Sequence, residues 1–304
     1  LAVDFAGIRL ANPVFTASGT CGYADELEGL TDLHGLGGFI TKSITALPRK
    51  GNAPPRIVET DAGMLNAIGL ANVGLERFIE EKVPLLNRLA VPVLVNVAGT
   101  AIDDYVAVVE RLADEQTIAG FELNISCPNV KKGGITFGTD PRQVAEITGA
   151  IRRASRRKVL AVKLSPCVTD ISETAKAAVG AGADALSLIN TFTAMVVDVE
   201  RRQPVLANRT GGLSGPAIKP IAVYLVNKVY NEVTRGGPVP ILGLGGIRTA
   251  ADALEFIIAG ATAVAVGTGT LVDPGCAARV VTGLAEYCRR HAIADVRELV
   301  GSLE

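Results

Sequence analysis

VPILGLGGIRTAADALEFIIAGATAVAVGTG, Val239–Gly269, spells a strand, a helix and a second strand. The flanking runs, Val239–Gly245 and Ala263–Gly267, are apolar without strict alternation, which suits strands buried on both faces. Between them Thr249 can cap a helix that runs to Ala259. Six further runs of the same kind bring the set to eight: Pro13–Ser18, Gly38–Lys42, Pro92–Asn96, Gly120–Asn124, Val159–Lys163 and Ala185–Asn190. Helical patterns separate most of them, over Val73–Leu89, Ile102–Ala113, Pro141–Arg156, Ile171–Ala181, Pro216–Thr234 and Cys276–His291. Thr139 and Asp140 before Pro141 give one helix a capping residue and a first-turn proline. Eight strand–helix units predict an α/β fold, a (β/α)8 TIM barrel, with residues 1–304 forming a single domain. The opening LAVDFAGIRLANP has two short alternating runs about Ala6-Gly7 and is expected to form a hairpin under the barrel floor. Two long connections, Ser43–Val91 and Thr191–Pro238, follow strand ends and belong over the active-site mouth.

Composition narrows the function classes. Hydrophobic residues make up 48% of the chain and charged residues 20%, enough apolar material for a large core. Thirty basic residues against 31 acidic ones leave no electrostatic footprint for nucleic acid or an acidic membrane, so an anionic ligand must be met locally. The five cysteines, at 21, 127, 167, 276 and 288, form no C-x-x-C pair. That speaks against a disulfide framework, a metal site or an iron–sulfur cluster on this chain. The uncharged run Phe256–Val272 is broken by Gly and Thr and reads as helix end, strand and loop rather than a membrane span. With no signal-peptide pattern at the start, the expected compartment is the cytoplasm.

The residues that end the strands carry the chemistry. Ser18, Lys42, Asn96, Asn124, Lys163, Asn190, Gly245-Gly246 and Gly267-Thr268 converge on one mouth if the barrel closes. The two glycine-bearing turns end strands seven and eight, where barrels hold phosphate with backbone N–H groups. Lys163 ends the apolar run VLAVKL, and a buried ammonium there needs an anion. That anion is either a ligand such as a reduced flavin or a carboxylate from a neighbouring strand. Lys42 faces the same choice and could serve a substrate carboxylate. Asn66, Asn124, Asn129 and Asn190 supply four carboxamides, a set that suits a flat ligand with alternating N–H and C=O groups, such as a pyrimidine. Cys127 lies in FELNISCPNVKKGG (Phe121–Gly134), between Asn124 and Asn129, and reads as a proton acceptor, a nucleophile or a packed small side chain. His34 and His291 stand in no catalytic pattern and look structural, and no G-x-S-x-G is present.

MLNAIGLAN, NISCPNVKKGG, VKLSP, SLINT and ANRTGGLSGPAIKPIA, in this order, resemble the dihydroorotate dehydrogenases. The resemblance extends from NPVFTASGTCG through PRKGNAPPR to the opening quotation. Cys127 at the base position resembles class 1, and NAIGL with NVKKGGITFGTDP resembles its NAD+-linked B subclass. The resemblance implies FMN on this chain, held by Ser18, Lys42, Ser43, Asn96, Asn124, Lys163, Ile189, Gly215, Gly245, Gly246, Gly267 and Thr268. It implies dihydroorotate, and the product orotate, bound by Lys42, Asn66, Ala67, Ile68, Gly69, Leu70, Asn124, Asn129, Asn190 and Thr191, with Cys127 taking the C5 proton. It further implies a partner electron-transfer subunit carrying FAD and a [2Fe–2S] cluster, and a homodimer core within a heterotetramer. Val73 and Ala194 stand where the resemblance leads one to expect Pro and Gly. The competing readings are a fumarate-reducing homodimer of the A subclass, a flavin-free phosphate-binding isomerase or aldolase with Lys163 as its reactive amine, and a non-catalytic FMN-binding subunit.

Overall fold

The computed structural model describes residues 1–126 and 137–304. Eight parallel strands form its central sheet: β1 (Val14–Thr16), β2 (Phe39–Ile40), β3 (Val93–Val97), β4 (Ile118–Asn124), β5 (Val159–Lys163), β6 (Ala185–Leu188), β7 (Ile241–Leu244) and β8 (Ala263–Val266). Neighbours run in chain order from β2 to β8, and β8 pairs with β1 through Val264–Val14 and Val266–Thr16. A parallel bridge between Phe15 and Gly38 closes the remaining seam, and the Ile40 amide donates to the Thr16 Oγ1 across it. The eight apolar runs are therefore the eight barrel strands. All five residues of β3 and of β5 are buried, as expected of strands with core on both faces.

Apart from the short helix Thr268–Val272, which the sequence reads as loop, the helices fall where the 3.6-residue pattern puts them. They are α1 (75–86), α2 (Ile102–Leu112), α3 (Pro141–Ala154), α4 (Ile171–Gly180), α5 (Lys219–Val229), α6 (Ala250–Ala259), α7 (Thr268–Val272) and α8 (Cys276–Arg290). The middle of α1, Phe78–Lys82, widens to a π turn just ahead of Pro84, whose missing N–H breaks the regular ladder. Asp140 caps α3 by accepting the Arg142 amide, and Pro141 occupies the first turn. Thr249 and Asp252 cap α6 reciprocally. No helix of the described residues is long and apolar enough to cross a membrane.

The opening residues pair as expected, Val3–Phe5 against Ile8–Leu10. Phe5 packs its ring 5.8 Å from that of Phe15, and Asp4 and Ala6 line one cavity with Pro240, Ile241 and Thr262, at the N-terminal ends of β7 and β8. The hairpin thus lies at the barrel floor. The two long connections hold more structure than the sequence suggests. Ile57–Thr60, Gly63–Asn66, Gly211–Ser214 and Phe192–Ala194 form one four-stranded antiparallel sheet. The two connections are stitched to each other, with Asn66 opposite Gly212 and Met64 opposite Ser214.

Candidate active site

The barrel strands end in a connected set of polar side chains. Register places Glu122 opposite Asn96, Asn124 opposite Lys163, and Lys163 opposite Ser187. Ser43 Oγ donates to Asn96 Oδ1 at 2.5 Å, and Asn96 Nδ2 donates to Glu122 Oε2 at 2.5 Å. Ser187 Oγ donates to the other carboxylate oxygen, Glu122 Oε1, at 2.7 Å. Lys163 Nζ stands 3.8 Å from Glu122 Oε2, paired in charge but beyond hydrogen-bonding distance. The carboxylate partner from a neighbouring strand, one of the two readings of Lys163, is thus present. Its geometry still leaves the ammonium's three donors unspent among the described residues.

Above this layer Asn190 Nδ2 donates to Asn124 Oδ1 at 3.4 Å, and Asn190 Oδ1 accepts the Thr191 amide at 2.8 Å. The Tyr105 hydroxyl holds the Asn124 carbonyl at 2.9 Å. Thr191 lies against Gly212, where an added Cβ would stand 2.1 Å from its Oγ1, and Gly212 is opposite Asn66. Asn66, Asn124, Asn190 and Thr191 therefore line one continuous rim.

Past Asn66 the chain turns sharply, with Gly69 at φ 73° and Leu70 at φ 59°. The Ala67 amide is engaged by the Arg56 carbonyl at 2.8 Å, so it is not among the groups left for a ligand. The next three amides, of Ile68, Gly69 and Leu70, have no partner among the described residues. Asn72 holds this turn closed. Its Nδ2 donates to the Leu70 carbonyl and to Thr45 Oγ1, both at 2.8 Å, and its Oδ1 accepts the Gly74 amide at 2.8 Å.

At the opposite side of the mouth, the ends of β7 and β8 meet the turn after Ser214. Thr268 Oγ1 donates to Ser214 Oγ at 2.8 Å. Gly215 and Gly246 have φ of 94° and 79°. A Cβ on Gly246 would lie 2.7 Å from the Gly215 carbonyl oxygen, and one on Gly215 would lie 2.7 Å from Gly63 Cα. Only glycine lets these backbones approach so closely, in a conformation L side chains rarely adopt. Gly267 sits beside Ala17, which places Ser18 at the same edge. This backbone cradle with hydroxyls suits a phosphate, and Lys163 suits anionic charge further along the same ligand, so the donor set fits FMN.

The dihydroorotate dehydrogenase family model matches residues 1–288. The chain belongs to the dihydroorotate dehydrogenase family. The protein named dihydroorotate dehydrogenase B (NAD(+)), catalytic subunit, of Geotalea daltonii is 53% identical over 304 residues, covering 100% of this chain and 98% of that protein. Its counterpart of the same name from Desulforudis audaxviator is 54% identical over 301 residues, covering 99% of this chain and 96% of the relative. Among solved structures, the crystal structure of DHODH from Eimeria tenella in complex with ferulenol matches with a TM-score of 0.81 at 26% identity, over 99% of this chain and 88% of that one. The resemblance read from the motifs and the barrel read from the apolar runs are both borne out.

The structure brings together Lys163, Asn96, Ser43, Asn124, Asn190 and Thr191 on one side, Asn66 to Leu70 along the rim, and Gly215, Gly246 and Thr268 at the cradle. Gly245 and Ile189 are held in the same layer, the latter through its amide on the Leu244 carbonyl at 3.0 Å. Lys42 lies two residues past β2 with its amide on the Gly22 carbonyl at 2.8 Å and has no ion pair among the described residues. Cys127 and Asn129 lie outside the described residues. Cys21, Cys276 and Cys288 are buried and Cys167 is exposed, in keeping with packing and surface roles. Burial pushes the Cys21 thiol above its ordinary range. Sequence reasoning missed Glu122, Ser187 and Asn72, which contact none of the rim amides' free faces but fix the groups that line it. Ala194, one of the two departures, pairs with Gly211 in the mouth sheet.

Proposed function

We propose that this chain is the FMN-bearing catalytic subunit of an NAD+-linked dihydroorotate dehydrogenase, oxidising (S)-dihydroorotate to orotate in pyrimidine biosynthesis. The observation that carries the reading is the mouth itself, where the Asn124–Asn190 carboxamide pair lies between the Lys163 ammonium and the amides of Ile68, Gly69 and Leu70, which have no partner among the described residues. That is an anion site, a heterocycle site and a second anion site in sequence. The amides after Asn66, with Lys42, hold the substrate carboxylate. Asn66, Asn124, Asn129, Asn190 and Thr191 read the ring carbonyls and N–H groups. Ser18, Gly215, Gly245, Gly246, Gly267 and Thr268 hold the phosphate end of FMN, while Ser43, Asn96, Lys163 and Ile189 line its ring. Bound FMN would supply the hydride acceptor for the hydrogen that leaves C6 of dihydroorotate.

Cys127 removes the C5 proton as thiolate, leaving the C5–C6 double bond of orotate. Holding the substrate against the ring converts the step into a unimolecular one. Residues 1–304 act as one barrel domain. The name shared by the relatives, a catalytic subunit of an NAD(+) enzyme, supports a separate electron-transfer subunit. In this reading that partner carries FAD and a [2Fe–2S] cluster, binds a homodimer of this chain in a heterotetramer, and works in the cytoplasm, where it passes electrons to NAD+.

The test is the visible spectrum of the purified chain, before and after dihydroorotate is added without oxygen. Bleaching of a flavin spectrum supports the reading, and a protein that takes up no FMN overturns it. Loss of a general base costs about 10²–10⁴-fold. Cys127→Ala is expected to fall within that range with FMN retained, and the wild-type rate is expected to rise toward the thiol's ordinary pKa of about 8.5. Loss of FMN in Cys127→Ala would give the thiol a structural role instead.

A further inference from the structure

Among the described residues, Glu122 and Lys163 are the two charged side chains that are buried, Glu122 fully and Lys163 to 6% exposure. They come from adjacent strands, β4 and β5, and both face the barrel interior beneath the mouth. An unpaired carboxylate at that depth is costly, so the pair explains its own burial. The distance is informative. At 3.8 Å the carboxylate compensates the charge of Lys163 without taking a hydrogen from it. Both carboxylate oxygens are already committed, one to Ser187 Oγ at 2.7 Å and the other to Asn96 Nδ2 at 2.5 Å. These bonds hold Glu122 back from Lys163 and leave the ammonium's donors directed elsewhere. We propose that Glu122 is a positioning residue that sets, through Lys163, how strongly the mouth stabilises negative charge on the FMN ring.

The inference rests on the FMN reading above and goes beyond it, because it assigns a fixed opposing charge that limits the work of Lys163. Removing that charge is expected to favour reduced over oxidised FMN. Glu122→Gln keeps the side chain's shape, and Ser187 can turn from donor to acceptor to meet the new amide. The readouts are the dissociation constant of FMN from the apoprotein, by fluorescence quenching, and the two-electron midpoint potential of bound FMN, by dye equilibration. Glu122→Gln is expected to bind reduced FMN about tenfold more tightly relative to oxidised FMN, a potential about 30 mV more positive. Glu122→Asp, which withdraws the carboxylate by one methylene, is expected to shift it in the same direction by less. Ser187→Ala, which removes a hydrogen bond holding Glu122 back but no charge, is expected not to raise the potential. An unmoved potential in Glu122→Gln, or an equal shift in Ser187→Ala, overturns the inference. If Glu122→Gln does not fold, an unmoved potential in Glu122→Asp does the same. Those outcomes leave the FMN reading standing, whereas a wild-type chain that binds no FMN overturns both.

Discussion

Asn72→Ala separates substrate binding from cofactor binding. The Asn72 side chain makes three short hydrogen bonds, to the Leu70 carbonyl, Thr45 Oγ1 and the Gly74 amide, each 2.8 Å, and a longer one from the Thr45 amide at 3.4 Å. Together they hold Leu70 at φ 59°, a left-handed conformation that costs a non-glycine residue about 1–2 kcal/mol. A net contribution of about 1 kcal/mol per short bond gives roughly 3 kcal/mol for the three. Asn72 is half-buried, so water replaces part of this, and about half remains as lost preorganisation of the Ile68–Leu70 turn. That remainder corresponds to about a tenfold weaker grip on the substrate carboxylate. The backbone bridge between Arg49 and Asn72 does not depend on the side chain, so the damage stays local. Steady-state kinetics with dihydroorotate, beside an FMN titration, are the assay. KM is expected to rise about tenfold, with kcat little changed and FMN affinity within twofold of wild type, the pattern of lost uniform binding. A KM within twofold of wild type would refute the role of the turn, and parallel loss of FMN would show general damage instead.

Gly246→Ala places a Cβ 2.7 Å from the Gly215 carbonyl and 2.9 Å from Lys219 Cβ, at φ 79°. Relieving that contact must open the cradle, so FMN retention through gel filtration is expected to fall at least about tenfold, for a strain of roughly 1–2 kcal/mol. Acid is expected to release FMN by a related route. Burial raises the Asp252 carboxyl pKa, but hydrogen bonds from Lys219, from the Arg248 and Thr249 amides and from the Thr249 hydroxyl outweigh it, and the net shift is downward. A folded value below the unfolded one, about 3.9, contributes stability above that pH and loses it as pH falls through the folded value. Flavin fluorescence followed from pH 6 downward should therefore rise below about pH 4, and Asp252→Asn should release FMN more readily at pH 6 with a flatter acid profile.

The barrel is legible because each strand is buried on both faces, so its apolar run needs no partner to be recognised. The mouth sheet is not. Ile57–Thr60 is exposed and half-buried in turn, and Gly63–Asn66 pairs with Gly211–Ser214 across nearly half the chain, a contact no local pattern encodes. Asn72 is hidden for a different reason, because an Asn two residues before a Gly reads as local turn chemistry, as its bonds to Leu70 and Gly74 are, while its two bonds with Thr45 exist only once the fold brings that residue beside it. Glu122 is the instructive miss. A lone Glu is taken for a solvated residue by default. Yet Asn124 ends β4 at the mouth, and side chains two apart on a strand share a face, so Glu122 must point into the barrel with it. Lys163 ends the neighbouring strand in register with Asn124. The two readings of Lys163 weighed from sequence, a ligand anion or a strand carboxylate, are then not exclusive. A carboxylate one layer deeper can compensate the ammonium from below at 3.8 Å and leave its hydrogens for an anion in the mouth.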